Sequence, residues 1–403
     1  MQLVEQHIIK KDDERYKILD EVCFKSKNLY NAALYEIRQH FFNTKQFLNW
    51  FSVDKMFKEK KQEDYYALPC KVSQQTLKLL NQNFKSFFSL LKKKDHNKKK
   101  SIPKYLDKLK GRFVAVYTNQ AISKKELRNG IIQLSRTDFK IKTKVDGNSI
   151  NQARIVPKNS YYKVEVIYEV EEIEELEDNE KYAAIDLGVN NLATVSFNDS
   201  KPFIINGKPL KSINQFYNKR KAELQSKLKG NRKTSNRIES ITRKRNNKVK
   251  NYLHKASRYI VNHLVSTNVN TLIIGKNDNW KQEANISKKN NQNFVLIPHS
   301  QFINMLSYKC KLVGIAVIMT EESYTSKCSF IDNEEMKHNE VYKGKRVKRG
   351  LFRTNKGKFI NADLNGSLNI MRKVIGEFHY PIEVCSTPVV KTMFDTIKLK
   401  FFI

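Results

Sequence analysis

Residues 182–197 constrain the fold of this chain more than any other segment. They contain an apolar run that includes Asp186, a turn from Gly188 to Asn191, and a second apolar run. This pattern predicts a β-hairpin with a carboxylate in the middle of its first strand. A charged side chain in an otherwise buried strand is expected to be paired or to bind a metal ion. The segment therefore predicts a sheet and a site together.

The charge balance indicates what such a site would act on. The 403 residues include 75 Lys and Arg against 41 Asp and Glu, which gives a formal net charge of +34. We expect a nucleic-acid partner, because basic side chains set against phosphates release counterions, whereas a merely soluble surface needs no such imbalance. A buried acid in so basic a chain suggests a Mg²⁺ site that acts on phosphodiesters. The length allows two or three domains with hydrophobic cores.

The cysteines and the N-terminus indicate the compartment. Five cysteines lie far apart and form no Cys-x-x-Cys pair, so neither a disulfide framework nor a four-cysteine zinc site is expected. We find no signal-peptide core and no apolar run of membrane-spanning length. We therefore expect a cytoplasmic, nucleoid-associated protein that does not bind membranes.

The N-terminal half alternates between two kinds of pattern. Residues 2–10 predict a strand, and apolar residues recur at helical spacing from 12 to about 94. Short alternating runs at 113–117, 131–134 and 161–168 are typical of a small β-barrel or sheet. The acidic segment 169–180 is interpreted as a solvated linker, which places a domain boundary near residue 178.

The C-terminal half predicts a ribonuclease H-like order of elements. Strands at 182–189, 192–197 and 202–206 precede helices at 210–228 and 235–265. A strand at 271–275, a helix at 298–313, a strand at 315–319, an irregular insert and a helix at 362–375 follow. In that order the first strand lies centrally, and the fourth and fifth run parallel beside it. The fold class is therefore α+β and multidomain.

Two carboxylates are expected to meet on this framework. Asp186 lies on the central strand, and Asp363 lies in the first turn of the last helix, which packs over that strand. Phosphodiester cleavage by two Mg²⁺ ions needs carboxylates that converge on the metals. Taken alone, Asp363 is equally well explained as an acid that interacts favourably with the helix dipole.

Three segments together resemble the TnpB proteins of insertion sequences, which are related to type V CRISPR effectors. They are DLGVNNLATV at 186–195, YTSKC at 324–328 and NADLNGSLNI at 361–370, with weaker similarity at 75–84 and 101–105. The resemblance implies an RNA-guided DNA endonuclease with an oligonucleotide-binding-like wedge domain, a helical recognition domain inserted in it, and a RuvC-like nuclease domain. It assigns 1–10 and 101–178 to the wedge, 11–100 to the helical domain, 179–376 to the nuclease domain with a degenerate zinc-ribbon insert at 323–360, and 377–403 to a C-terminal tail.

The sequence departs from the family pattern at the second catalytic acid. Gly275 ends the fourth strand where the family has glutamate, and Asp278 comes too late to reach the metals. Glu321 and Glu322 follow the neighbouring parallel strand, whose end lies at the same edge of the sheet about 4.8 Å away. Only one of the pair can face the metals, and Glu322 matches an acid that some relatives carry before Tyr-Thr-Ser-Lys. We therefore predict Asp186, Glu322 and Asp363 as catalytic Mg²⁺ ligands, with solvated strand-end acids as the alternative for the pair.

The insert also departs from the family pattern, because Cys328 is the only cysteine between 311 and 384. Four-coordinate zinc is therefore not expected. The apolar residues of the insert are predicted to hold it together: Phe330, Tyr342, Leu351, Phe352 and Phe359.

Basic residues on the long helices predict a groove for nucleic-acid backbones, with a solvated charged face as the alternative. The residues assigned to this role are Lys219, Arg220, Arg243, Lys244, Arg245, Lys248, Lys250, Lys255, Arg258, Lys281 and Lys327. Tyr324 and Thr325 are interpreted, together with Lys327, either as substrate contacts or as anchors of the insert. His254, His263 and His299 lack metal-ligand spacing and are expected to pack or cap helices.

The predicted function is an RNA-guided, Mg²⁺-dependent DNA endonuclease of a transposable element, with Mn²⁺ as a possible substitute. Its partners would be a guide RNA and double-stranded target DNA cut beside a short flanking motif. The alternative is a nuclease-inactive RNA-guided regulator, which Gly275 favours. A transposase that joins DNA ends itself fits less well, because the chain has no His-x-His tyrosine-nucleophile motif.

Overall fold

In a computed structural model, which describes residues 1–92, 100–276, 295–381 and 388–393, the chain divides into two compact units. They are Met1–Glu171 and Glu172–Ile403, so the division falls inside the acidic segment predicted as a linker. None of the helices in the described ranges is both long and apolar enough to cross a membrane. The division into wedge, recognition and nuclease domains stays a prediction.

The first unit combines a helical bundle with an antiparallel sheet. Its helices are α1 (Tyr16–Thr44), α2 (Trp50–Glu59), α3 (Glu63–Tyr66), α4 (Cys70–Lys92) and α5 (Lys124–Arg128). Its strands are β1 (Gln2–Lys10), β2 (Ala115–Thr118), β3 (Ile131–Gln133), β4 (Lys140–Lys142), β5 (Ile150–Lys158) and β6 (Tyr161–Glu169). A single hydrophobic core joins the two parts, with Leu34 and Leu80 from the helices and Ile155 and Val164 from the sheet.

The sheet of this unit has the strand order β1-β6-β5-β2, and β3 pairs separately with β4. β1 and β2 are its edges in the part of the chain that the structure describes, so the ladder is open rather than closed into a barrel. Of the two forms that the alternating runs predict, a small β-barrel or a sheet, the described strands form the sheet. Strands β4 and β5 were not predicted from the sequence.

The second unit is built on a six-stranded mixed sheet. Its strands are β7 (Tyr182–Leu187), β8 (Asn191–Phe197), β9 (Phe203–Asn206), β10 (Thr271–Gly275), β11 (Ala316–Thr320) and β15 (Val389–Lys391). They lie in the order β11-β10-β7-β8-β9-β15, with β7 central and β10 and β11 parallel to it on one side. The central position of β7 and the two parallel strands beside it agree with the prediction from the sequence.

Helices cover both faces of the second sheet, because the strands β7 and β10 are almost wholly buried and apolar. The helices are α6 (Lys208–Ser226), α7 (Asn236–Ser266), α8 (His299–Lys311) and α9 (Ala362–Ile375). One face forms a core with α7 and α8, which contribute Leu253 and Phe302. The other face packs Ala184 against Ile370 and Met371 of α9. The last helix therefore crosses the central strand, as predicted.

Two predictions for this unit were wrong. The insert is not irregular, because it contains a three-stranded sheet of β12 (Lys345–Lys348), β13 (Leu351–Arg353) and β14 (Phe359–Asn361). The predicted C-terminal tail contributes β15, which pairs in parallel with β9 and extends the main sheet. Both errors have one cause, since strands of three or four residues are too short to show an apolar period.

Candidate active site

Three carboxylates approach one another at the carboxyl edge of β7, β10 and β11. Asp186 lies on β7 opposite Thr194 of β8, Glu322 follows β11 by two residues, and Asp363 lies in the first turn of α9. Burial raises the pKa of the Asp186 carboxyl well above its ordinary value, and the negative charges of Glu322 and Asp363 raise it further. Asp186 is therefore electrostatically coupled to both of the other acids that the sequence singled out.

Glu322 occupies the space beside Gly275. A Cβ atom added at Gly275 would lie 2.7 Å from both Cγ and Oε1 of Glu322, and 2.5 Å from Cδ1 of Ile370. Burial raises the pKa of Glu322 to about 7, against the opposing effect of the Lys373 charge. The neighbouring Glu321 is exposed and accepts a hydrogen bond from the Ser323 hydroxyl. Of the two acids, Glu322 is thus the one that points toward Asp186.

A glycine also determines how closely α9 approaches Asp186. A Cβ at Gly366 would lie 2.8 Å from Oδ2 of Asp186. Any larger side chain at this position would displace either the helix or the carboxylate. Sequence reasoning did not assign this role, although Gly366 lies in the same segment as Asp363.

Asp363 is held by two side chains that sequence reasoning missed. Its Oδ2 accepts a hydrogen bond of 2.6 Å from Nδ2 of Asn191, and its Oδ1 forms an ion pair with the Arg346 guanidinium at 2.9 Å. Asn191 follows the turn after β7, and Arg346 lies on β12 of the insert. No sequence signal separates Arg346 from the other basic residues around it, because only the fold of the insert directs it to Asp363.

The donor atoms suit a hard divalent cation. Carboxylate oxygens are the preferred ligands of Mg²⁺ and Mn²⁺, and the mutual repulsion of the three acids would be relieved by a cation between them. Across the described ranges, however, no three His, Cys, Asp or Glu side chains converge closely enough to hold one ion. Arg346 would compete with a bound cation for Oδ1 of Asp363.

A polar network attaches the insert to α9. Asn365 donates to the carbonyl oxygen of Cys328 and accepts from the amide of Phe330, and Asn369 donates to the carbonyls of Thr325 and Cys328. Arg372 donates to the carbonyl oxygen of Glu334 at 2.6 Å. The helix that carries Asp363 is therefore hydrogen-bonded to the insert along its buried face.

Only some of the apolar residues predicted to hold the insert together are buried. Phe330 and Phe352 are buried, and Tyr342 and Leu351 are half-buried. Phe359 is 51 % exposed, so its assignment was wrong, because the side chains of β14 alternate and Ile360 faces the core instead. Zinc content is not tested by these contacts and stays a prediction.

The predicted nucleic-acid residues differ in their surroundings. Lys219, Lys244, Lys248 and Lys327 are exposed, whereas Arg243, Lys250, Lys255 and Arg258 are half-buried. Arg220 is paired with Glu223. Lys281 and Asp278 lie outside the described residues. Whether any of these side chains contacts nucleic acid stays a prediction.

Arg245 has a structural role that the sequence did not predict. Its guanidinium donates to Oδ1 of Asn214 at 2.7 Å and to the carbonyl oxygen of Leu296 at 2.7 Å. Burial lowers the pKa of this group. Arg245 therefore joins α6, α7 and the segment that leads into α8.

The remaining candidates pack or anchor. Thr325 is buried and its hydroxyl donates to the carbonyl oxygen of Glu322, which supports its role as an anchor of the insert. Tyr324 is exposed. His263 packs against aromatic rings, including Tyr259, and His299 shares a hydrogen bond of 2.9 Å with the carbonyl oxygen of Gly188. Burial lowers the pKa of His254 to about 4, so this histidine is neutral near pH 7.

Comparison with known proteins gives matches along most of the chain. The OrfB_IS605 family, described as a probable transposase, matches residues 165–281, and the TNB domain of Cas12f1-like proteins matches residues 299–370. The TnpB-like protein ORF457 of Acidianus two-tailed virus is 27 % identical over 397 residues, which cover 87 % of this chain and 82 % of that protein.

A solved structure has a similar fold. The cryo-EM structure of a Cas12f1–sgRNA–target DNA complex aligns with a TM-score of 0.55 and 17 % sequence identity. The alignment covers 89 % of this chain and 82 % of the other. At this identity the likeness concerns the fold alone. It agrees with a mixed α/β, multidomain architecture of the type found in Cas12 effectors.

Proposed function

Because the chain belongs to the TnpB family of transposon-associated proteins, we propose that it is an RNA-guided, metal-dependent DNA endonuclease. One observation supports this proposal most strongly. Asp186, Glu322 and Asp363 come from three separate elements, and Asp186 is electrostatically coupled to the other two at one edge of the sheet. Mutually repelling acids are costly in a fold of this kind unless a cation binds between them.

The three carboxylates would hold Mg²⁺, or Mn²⁺ in its place. When bound, the metal would activate water and stabilise the charge that develops on the phosphate oxygens. The chain's own residues orient the site. Asp186 is fixed by β7 and by the close approach of Gly366, and Glu322 supplies the carboxylate that β10 lacks at Gly275.

One neutral and one basic side chain complete the arrangement. Asn191 holds one oxygen of Asp363 and leaves the other to Arg346. If Asp363 held a metal in place of Arg346, the Arg346 guanidinium would be available for a phosphate oxygen of the substrate, because its planar donors match that geometry.

Sequence choice would come from base pairing with a guide RNA. The related structure contains an sgRNA and a target DNA, and the basic surface of this chain suits a guide RNA and double-stranded target DNA. Recognition of a short motif that flanks the target belongs to the same proposal.

A nuclease-inactive RNA-guided regulator is the second candidate. Two observations favour it: Gly275 stands at the position where the family has an acid, and Asp363 is already paired with Arg346. Such a protein would bind the same RNA and DNA without cutting.

Cleavage of target DNA by the protein purified with its RNA tests the proposal. The unmodified protein should cut in Mg²⁺, and Asp186→Ala, Asp363→Ala and Glu322→Gln should abolish cutting while RNA binding persists. Glu321→Gln is the matched control and should cut normally, because Glu321 faces solvent. If no version cuts in Mg²⁺ or Mn²⁺, the regulator becomes the better conclusion. If Glu322→Gln alone cuts normally, Glu322 is not a ligand.

A further inference from the structure

A pocket of about 320 Å³ lies between α6 and α7, apart from the acidic site. Its lining residues recur at helical spacing on both helices, so each helix presents one face to it. They include Phe216 and Tyr217 on α6, and Lys244, Arg245 and Lys248 on α7. The volume is enough for a planar heterocycle of nucleobase size.

The aromatic side of the pocket is ready for stacking. Phe216 is 73 % exposed, which is unusual for a large apolar side chain on a well-formed helix. Tyr217 beside it is fixed, since its hydroxyl shares a 3.0 Å hydrogen bond with Oγ1 of Thr242 and the Arg245 guanidinium lies 5.8 Å from its ring centroid. A base bound here would contact one exposed ring and one ring held by a hydrogen bond.

The basic side of the pocket carries uncompensated charge. Lys244 and Lys248 are exposed and have no acidic partner among the residues that the structure describes. Arg245 is hydrogen-bonded only to neutral acceptors there, including the amide oxygen of Asn214. These charges attract a polyanion, and the aromatic rings can stack on a planar apolar group.

The start of α6 contacts the segment that holds Asp363. Lys211, at the start of α6, donates through Nζ to Oδ1 of Asn190 at 3.0 Å. Asn191, which follows Asn190 in the chain, donates to Asp363. Phe216 follows Lys211 by five residues, which is about 7.5 Å along a helix axis. Phe216 points about 140° away from Lys211 around the helix, so a strand that reaches both Asp363 and Phe216 would pass around α6.

We propose that this pocket binds an unpaired base of the DNA strand that enters the acidic site, with Phe216 stacking on the base and Lys244 and Lys248 binding the flanking phosphates. The occupant is a single strand, because bases inside a duplex expose no ring face to Phe216. We assign the strand to the substrate DNA because α6, which lines the pocket, begins beside Asn190 and Asn191, and Asn191 holds Asp363. This inference rests on the proposed nuclease function.

Binding in EDTA tests the pocket independently of cutting. The probes are a short fluorescent oligothymidylate and an abasic strand of equal length and charge, titrated with the full-length protein. Phe216→Ala should weaken oligothymidylate binding about fivefold or more and leave the abasic strand unchanged, since it removes stacking and no charge. Lys244→Gln with Lys248→Gln should weaken both strands and reduce the salt dependence.

Matched variants separate stacking from other effects. Phe216→Trp should retain affinity, and Phe216→Leu should lose it although the side chain remains apolar. Phe51→Ala, which removes a phenylalanine that is 64 % exposed on α2, should change neither strand. A single 5-iododeoxyuridine in the DNA should crosslink to the peptide that carries Phe216 and Tyr217.

Three results would overturn the inference: equal affinity of Phe216→Ala and the parent, equal loss with Phe51→Ala, or a crosslink elsewhere. A larger loss with oligouridylate than with oligothymidylate would assign the pocket to RNA and overturn the DNA assignment. If the protein cuts normally but Phe216→Ala does not weaken oligothymidylate binding, the pocket proposal alone is refuted. If Phe216→Ala weakens oligothymidylate binding but the protein never cuts, the nuclease function is refuted instead.

Discussion

Substitution of Gly275 tests whether Glu322 has taken the place of a missing acid. A Cβ at this position would lie 2.7 Å from Cγ and Oε1 of Glu322, which is shorter than real contacts allow. Gly275→Ala should therefore displace the Glu322 side chain. Glu322→Ala removes two of the three obstructing atoms, so the two changes should be non-additive.

The size of the effect follows from two opposing contributions. Forcing a methyl group into a filled space costs roughly 1–3 kcal/mol, whereas replacing a strand glycine by alanine without obstruction gains roughly 0.5–1 kcal/mol. In the Glu322→Ala background the gain remains together with the part of the cost that comes from the 2.5 Å approach to Cδ1 of the buried Ile370. We expect a coupling free energy of about 1–3 kcal/mol, which favours the double variant.

The assay is a double-mutant cycle of thermal unfolding in EDTA. For a domain of this size 1 kcal/mol corresponds to about 2–4 °C in Tm, so Gly275→Ala should unfold several degrees below the parent. Cleavage should fall with it, because the carboxylate moves. The swap Gly275→Glu with Glu322→Ala should restore part of the cutting, whereas Gly275→Glu with Glu322→Gln should not, since glutamine keeps the space filled.

Additive effects on Tm would refute this reasoning. They would show that the Glu322 side chain does not lie against Gly275. Full cleavage by Gly275→Ala with an unchanged Tm would refute it equally, because the acid would then function from another position. Glu321→Ala in the same cycle is the control and should show no coupling.

Three further predictions concern groups outside this pair. Arg346→Ala should tighten Mn²⁺ binding measured by calorimetry, because Asp363 loses a competing cation, and should still slow cleavage; weaker Mn²⁺ binding would contradict the competition. Lys309 is buried with its pKa lowered to about 7, so its charged form destabilises the fold below that pH and the penalty disappears as pH rises toward the unfolded value near 10.5. Lys309→Met should thus raise Tm at pH 7 by a few degrees and by much less at pH 10, and a pH-independent gain would refute the assignment. Elemental analysis should find substoichiometric zinc, and Cys328→Ser should still fold; one tightly held zinc per chain would show that the insert retains a metal site.

The sequence predicted the central sheet well because its strands are long and apolar. Each strand from β7 to β11 has four or more residues in an uninterrupted apolar or alternating run, and the helices between them are periodic. The position of Glu322 beside Gly275 also followed from a local rule, since parallel neighbours end at one edge of the sheet. Its role as a metal ligand stays a prediction.

The features that were missed depend on tertiary contacts rather than local patterns. β12 is a short charged strand without an apolar face, so nothing in its sequence directs Arg346 to Asp363. In the sequence Arg245 does not differ from the other basic residues of α7, and only its contact with the carbonyl oxygen of Leu296 distinguishes it. Gly366 has meaning only because another strand brings Asp186 against it.

The short strand β15 has a practical consequence for engineering the chain. It covers the outer edge of β9, and the following Met393 is 5 % exposed within the hydrophobic core. Truncation after α9 would leave the backbone amides and carbonyls of β9 open to pairing with other chains, which invites aggregation. It would also remove a methionine from the core and leave a void. A reporter or effector fused to this protein is therefore better joined beyond Met393 than in place of the last residues.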